Sequence, residues 1–171
     1  MNLAVVEYPS TFAQHIFSLL SHHITIYTDG SSRGNPGPGG YGAILMSGHH
    51  RKEISQGYKL TTNNRMELLS VIVALESLKN DGSTVTIYSD SKYVVDSVEK
   101  GWVFNWQKKN YQGKKNPDLW ARFLRIYPTH KVKFIWVKGH AENPLNERCD
   151  ELAVAAAMGS NLIIDEGYRP G

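Results

Sequence analysis

Residues 24–42 read ITIYTDGSSRGNPGPGGYG. The β-branched residues and Tyr27 ahead of Asp29-Gly30 predict a strand that stops at a turn. That strand delivers one carboxylate, Asp29, at its end. Two later segments repeat the arrangement. Residues 84–89, TVTIYS, predict a second strand that ends at Asp90. An apolar helix predicted over 63–79 carries Glu67 in its first turns. A fourth acid, Asp150, lies in the last predicted helix, 145–158. If the fold gathers these four acids, they make a site for a divalent metal, because hard cations take carboxylate oxygens.

The bounds are ordinary. A chain of 171 residues, 41% hydrophobic and 20% charged, suits one globular domain with a real core. Its single cysteine, Cys149, excludes an internal disulfide framework and suits a reducing compartment, so a cytoplasmic location is expected. No apolar run approaches the roughly 20 residues that span a bilayer, so no membrane partner is expected. Residues 1–23 hold no Lys or Arg, unlike a secretory signal or an Arg-rich transit peptide. They are read as an N-terminal extension, ahead of a domain over 24–158 and a tail over 159–171. Net charge is +3 but unevenly spread: residues 92–138 hold eleven Lys/Arg against three Asp/Glu. A basic segment beside an acidic cluster suits an enzyme acting on a polyanion, and equally a solvated Lys-rich surface.

Along the chain, Gly34–Gly40 reads as a stiff loop beside Asp29 whose amides could face a phosphate. Gly37, Gly39 and Gly42 match the spacing G-x-G-x-x-G, but a dinucleotide site is excluded because no helix follows. Strands are predicted instead over 41–47 and 52–58. In the 63–79 helix the apolar positions run nearly all round, which predicts burial. Glu67 lies on the stripe with Val71, Ala74 and Leu78, a costly place for an unpaired carboxylate. A capping box from Asn64 to Glu67 is the competing reading. Asp90 is likewise open to reading as a plain helix cap. Strand, helix, strand, helix implies a parallel pair with Asp29 and Asp90 at one end of the sheet. Residues 101–117 interleave Trp102, Trp106 and Tyr111 with Lys108, Lys109, Lys114 and Lys115. That mixture suits a nucleic-acid surface, although the two tryptophans could equally pack inward. A helix over 118–127 and a fifth strand over 131–137 follow. The tail carries no usable pattern.

Taken in order, TDGSSRGNPGPGGYGAIL, TTNNRMELLSVIVALESL, YSDSKYV, the Trp/Lys segment with NPDLW, and WVKGH with NERCDELA resemble type 1 ribonuclease H. The resemblance covers residues 24–158. It implies the α/β ribonuclease H-like fold, a mixed five-stranded sheet flanked by helices. It implies endonucleolytic hydrolysis of the RNA strand of an RNA–DNA hybrid, largely independent of sequence, leaving 5′-phosphate and 3′-hydroxyl ends. By motif position the metal-binding and catalytic carboxylates are Asp29, Glu67, Asp90 and Asp150. The expected cofactor is Mg²⁺, with Mn²⁺ as a substitute and two ions once substrate is bound. A pair of such ions can activate water and stabilise the leaving oxygen. Four acids in one place repel, so raised carboxyl pKa values are expected without metal.

The resemblance further implies that His140 assists proton transfer or product release. Asn35, Asn64 and the backbone near Gly30 and Ser31 would line the minor groove, where the 2′-hydroxyls of RNA are displayed. Thr62 and Asn105 would hold a DNA phosphate, with Lys108 and Lys109 as further substrate contacts. Leu60 stands where the family often has a basic residue, and the basic segment between Trp102 and Trp120 is shorter than in well-known bacterial members. The expected partner is the hybrid alone, bound by a monomer. If His140 moves protons rather than holding metal, His140→Ala slows turnover in a steady-state cleavage assay but leaves measurable activity. Complete inactivation would assign it a more central part.

Overall fold

The computed structural model describes residues 23–139 and 143–170. Strands β1 (His23–Ser32), β2 (Gly37–Ser47) and β3 (His50–Thr61) form an antiparallel meander. Helix α1 (Asn63–Glu76) leads into β4 (Thr84–Ser89), which pairs parallel with β1. After α2 (Lys92–Glu99), α3 (Trp102–Lys108) and α4 (Pro117–Ile126), strand β5 (Lys131–Trp136) adds parallel to β4. Helix α5 (Pro144–Met158) closes the domain, and β6 (Leu162–Ile163) pairs parallel with β3. The sheet order is β5-β4-β1-β2-β3-β6.

The mixed sheet flanked by helices is therefore as expected, but it has six strands and not five. The extra strand comes from the tail, where two residues could not announce themselves by alternation. Gln56 Nε2 donates to the carbonyl of Asn161 at 2.9 Å and helps hold that strand on.

The meander explains the glycines. Successive strand residues face opposite sides of a sheet. Ile26, Ala43 and Leu45 face α1 and join the main core. Gly40, Gly42 and Gly57 face α5. A Cβ on Gly40 would lie 2.5 Å from the carbonyl oxygen of Ala153, and one on Gly42 or Gly57 would collide with the backbone of α5. The Gly/Pro run is thus mostly strand, with only residues 33–36 forming the connection. Glycine is needed there because a helix lies directly on the sheet, which a reading in terms of turns cannot reveal.

Helix α1 is buried on nearly every side, as its composition predicts, between the sheet and α4. Its cap is Thr62, whose side-chain oxygen accepts from the N–H of Arg65 at 3.4 Å. Asn63 and Asn64 are already helical, so the Asn64–Glu67 capping box does not form. Trp106 packs edge-on against the buried Trp120, whereas Trp102 is exposed with Lys100 over its ring. Of this pair, Trp106 packs inward and Trp102 stays at the surface.

Behind α1 lies a buried ion network. Arg65 Nε donates to Asp165 at 2.7 Å and its two terminal nitrogens reach Asp118 at 2.9 and 2.7 Å. Thr61 Oγ1 also donates to Asp165 at 2.7 Å. Burial would raise the Asp165 carboxyl, but the bonds from Arg65 and Thr61 outweigh it and hold it below the usual carboxylate range. Removing one partner of a buried pair leaves an uncompensated charge. Asp165→Ala is therefore expected to cost about 3 kcal/mol in urea unfolding, while the folded protein keeps its cleavage rate. A loss under roughly 0.5 kcal/mol would show that Asp118 alone satisfies Arg65.

Candidate metal centre

The parallel pairing of β1 with β4 stops at Thr28 opposite Ser89, but β1 does not turn at Asp29-Gly30 as expected: it continues to Ser32, held by its antiparallel pairing with β2. Asp29 and Asp90 are the residues that follow the last parallel pair. Glu67 arrives from α1, whose backbone packs against Gly30. A Cβ there would collide with the amide nitrogen of Glu67. With only hydrogen at that position, the helix can come close enough to aim Glu67 at those two acids.

Each of Asp29, Glu67 and Asp90 offers a carboxylate oxygen within 4.8 Å of the other two. Asp29 and Glu67 are each only 6% exposed. Neither Glu67 nor Asp90 is used as a cap. Thr62 caps α1, and Ser91 caps α2 by accepting from the N–H of Val94. Asp150 is half-buried on α5 and stands beside the group of three, close enough to disfavour charge on Asp29.

Burial, then the charge of Asp90, pushes the Asp29 carboxyl up to about 8, against the opposing hydrogen bond from the Gly30 N–H at 2.7 Å. Burial and the charge of Asp29 also raise Glu67 well above the ordinary carboxyl range. Asn63 Nδ2 reaches Glu67 Oε1 at 3.4 Å, but Glu67 Oε2 is buried with no hydrogen-bond partner. A buried carboxylate oxygen without a donor, inside a group of like charges, is what a divalent cation would satisfy. The donor set is all oxygen, which fits Mg²⁺ or Mn²⁺ and not a soft metal.

A model of the RNase H family matches residues 21–158. The chain is 55% identical to the ribonuclease H of Desulforamulus reducens over 147 residues, 83% of this chain and 92% of that one. It is 49% identical to the ribonuclease HI of Synechocystis over 151 residues, 85% and 94% of the two chains. Among solved structures it resembles LC9-RNase H1, a type 1 RNase H with the type 2 active-site motif, at 33% identity and TM-score 0.74 over 86% of this chain and 79% of that one. It also resembles LC11-RNase H1 in complex with an RNA/DNA hybrid, at 28% identity and TM-score 0.59 over 78% and 96%.

This chain belongs to the RNase H family. It is a metal-dependent endoribonuclease that cleaves the RNA of RNA–DNA hybrids.

Around the RNase H centre the other expected residues are spread more widely. Asn35 lies in the β1–β2 connection and its Oδ1 accepts from the backbone N–H of Asn63 at 3.2 Å, tying that loop to the start of α1. Asn64 is exposed in the first turn of α1. Thr62 is partly occupied by its capping bond. Asn105, Lys108 and Lys109 are all exposed along α3. His140 falls outside the described residues. Asn63 and Trp136 were given no part by the sequence, yet one approaches Glu67 and the indole N–H of the other donates to the Asp90 carbonyl at 2.9 Å. Both lie in the quoted motifs, TTNNRMEL and WVKGH, but the sequence does not say which polar atoms they meet, because the Trp136 contact joins elements distant in the chain and Asn is a residue type with many uses.

The raised carboxyls set a pH dependence. Asp29 and Glu67 bind protons more tightly when folded than when unfolded. Between about pH 4 and pH 8 the metal-free folded state therefore holds protons that the unfolded state has released, and stability falls as pH rises through that window. Denaturation in EDTA should show this decline, Asp29→Asn should flatten it, and added Mg²⁺ should reverse it. A wild-type profile that rises across the window would contradict the electrostatic picture.

Proposed function

We propose that Asp29, Glu67, Asp90 and Asp150 hold Mg²⁺ at this centre, two ions when substrate is bound, and that RNA hydrolysis takes place there. Glu67 Oε2, buried and unpartnered between two other acids, is the observation that carries the reading. Bound Mg²⁺ supplies Lewis-acid charge at the phosphoryl group and makes water acidic enough to attack near neutral pH. The protein's part is to hold its ligands in place and to release their protons. Asp29 sits within a strand and Glu67 on a buried helix, so their carboxylates are ordered before any ion arrives. The protons they carry without metal must leave on binding, which makes affinity rise with pH.

The substrate contacts are assigned to two groups of residues. Asn35, Asn64 and Thr62 cluster where the β1–β2 connection meets the start of α1, and are assigned to the minor groove and a DNA phosphate. Asn105, Lys108 and Lys109 on α3 supply the second, more basic contact. Exposed lysines reach phosphates without reading bases, which favours sequence-independent cleavage to 5′-phosphate and 3′-hydroxyl ends. His140 is assigned to proton transfer on the strength of its motif. Among the described residues no helix is long and apolar enough to cross a membrane. The lone thiol, Cys149, is buried, in keeping with a monomer working in the cytoplasm.

The test is cleavage of labelled RNA–DNA hybrid, duplex RNA and duplex DNA, each with Mg²⁺ or EDTA. Cutting of the hybrid alone, and only with metal, is expected. Glu67→Gln should lower the rate about 100-fold or more, because metal-centred stabilisation is worth several kcal/mol. An unimpaired Glu67→Gln enzyme would refute the proposed centre.

A further inference from the structure

Trp136 is an unusual residue to leave at the surface. It ends β5, opposite Ser89 in the parallel register, and 43% of it is exposed. Its indole N–H reaches across to the next strand and donates to the backbone carbonyl of Asp90 at 2.9 Å. The N–H of Val137 donates to the carbonyl of Ser89 at 3.0 Å, so the end of β5 grips two successive peptides at the end of β4. Further on, Gly139 packs against the Asp90 carboxylate, and a Cβ there would lie 2.6 Å from its Oδ2. Lys92 Nζ lies over the outer face of the Trp136 ring, 4.9 Å from its centre.

Asp90 needs such support. Asp29 is inside a strand and receives the Gly30 N–H, and Glu67 is inside a helix. Asp90 lies between β4 and α2, in neither, and Ser91 rather than Asp90 makes the cap. Without an outside bond its backbone would be the least constrained of the three acids.

We propose that Trp136 is a positioning residue for the metal centre: its indole N–H fixes the Asp90 peptide and so the direction of the Asp90 carboxylate. The inference rests on Asp90 being a metal ligand. Groups that orient ligands without touching the metal commonly govern affinity and rate.

The experiment combines calorimetric titration of Mg²⁺ into substrate-free protein with steady-state cleavage of hybrid. Trp136→Phe keeps a ring for Lys92 and removes the donor, and Trp136→Tyr is a second variant without the indole N–H. Circular dichroism establishes that each is folded. Both should bind Mg²⁺ about 10-fold more weakly and show kcat about 10-fold lower, with KM for the hybrid within about twofold of wild type. Lys92→Met, which keeps the indole, should bind Mg²⁺ as wild type does. Wild-type Mg²⁺ affinity and kcat in Trp136→Phe would overturn the proposal. So would an effect on KM alone, which would make the indole a substrate contact, or an equal loss in Lys92→Met, which would shift the role from the N–H to the ring stack. Asp90→Asn separates the two levels. If it binds Mg²⁺ normally, Asp90 is no ligand and both readings fail. If it loses binding while Trp136→Phe does not, only the positioning role is lost.

Discussion

Three carboxylates lie within 4.8 Å of one another with two of them buried, and the rest of the structure has to tolerate that repulsion. Like charges at such range in a poorly hydrated place are expensive. The chain responds by keeping protons on Asp29 and Glu67 when no metal is present. The arrangement persists because its parts are anchored elsewhere. Asp29 lies within β1, one residue past the stretch paired on both sides, and Glu67 belongs to a helix whose other residues form the centre of the core. Apolar burial along α1 and the sheet far exceeds the local penalty. The close approach at Gly30 transmits that stability to the site by seating the helix against the strand.

Helix α1 carries two buried ionisable groups, two residues apart, with opposite treatment. Arg65 is met by two carboxylates and by Asn116, through four hydrogen bonds of 2.7–2.9 Å and one of 3.4 Å. Glu67 has one long contact to Asn63 and an oxygen with no partner. A fold able to satisfy one buried ion so fully could have satisfied the other. The contrast separates a structural charge, which brings its own counterions, from a chemical one, which is left open for a ligand from outside. The C-terminal segment belongs to the first kind, since Asp165 supplies half of the countercharge for Arg65.

The second face of the sheet follows a different logic. Glycines at 40, 42 and 57 let α5 lie almost on the backbone, and this brings Asp150 to the edge of the acidic group. Asp150 remains half-exposed and bears electrostatically on Asp29 from outside the tightest cluster. Meanwhile Asn105 and Lys108 on α3, and Lys109 just after it, are exposed to solvent. Acid centre and basic surface thus come from different parts of the chain, as their uneven charge distribution suggested.

Much of this was legible in the residues themselves. Alternation and helical spacing are local, so the strand over 84–89, the buried character of α1 and the choice of Asp29, Glu67, Asp90 and Asp150 as candidate ligands follow from the text of the chain and its motifs. Packing decided the rest. Whether Thr62 or Asn64 capped α1, whether Trp102 or Trp106 turned inward, whether the glycine run was loop or strand, and whether two residues near the C-terminus would add a sixth strand all depended on neighbours far away in sequence. So did the hold of Trp136 on Asp90. Periodicity records which face of an element is apolar, but only the register between elements determines which polar atoms meet, and that register is set by long-range contacts that no single segment contains.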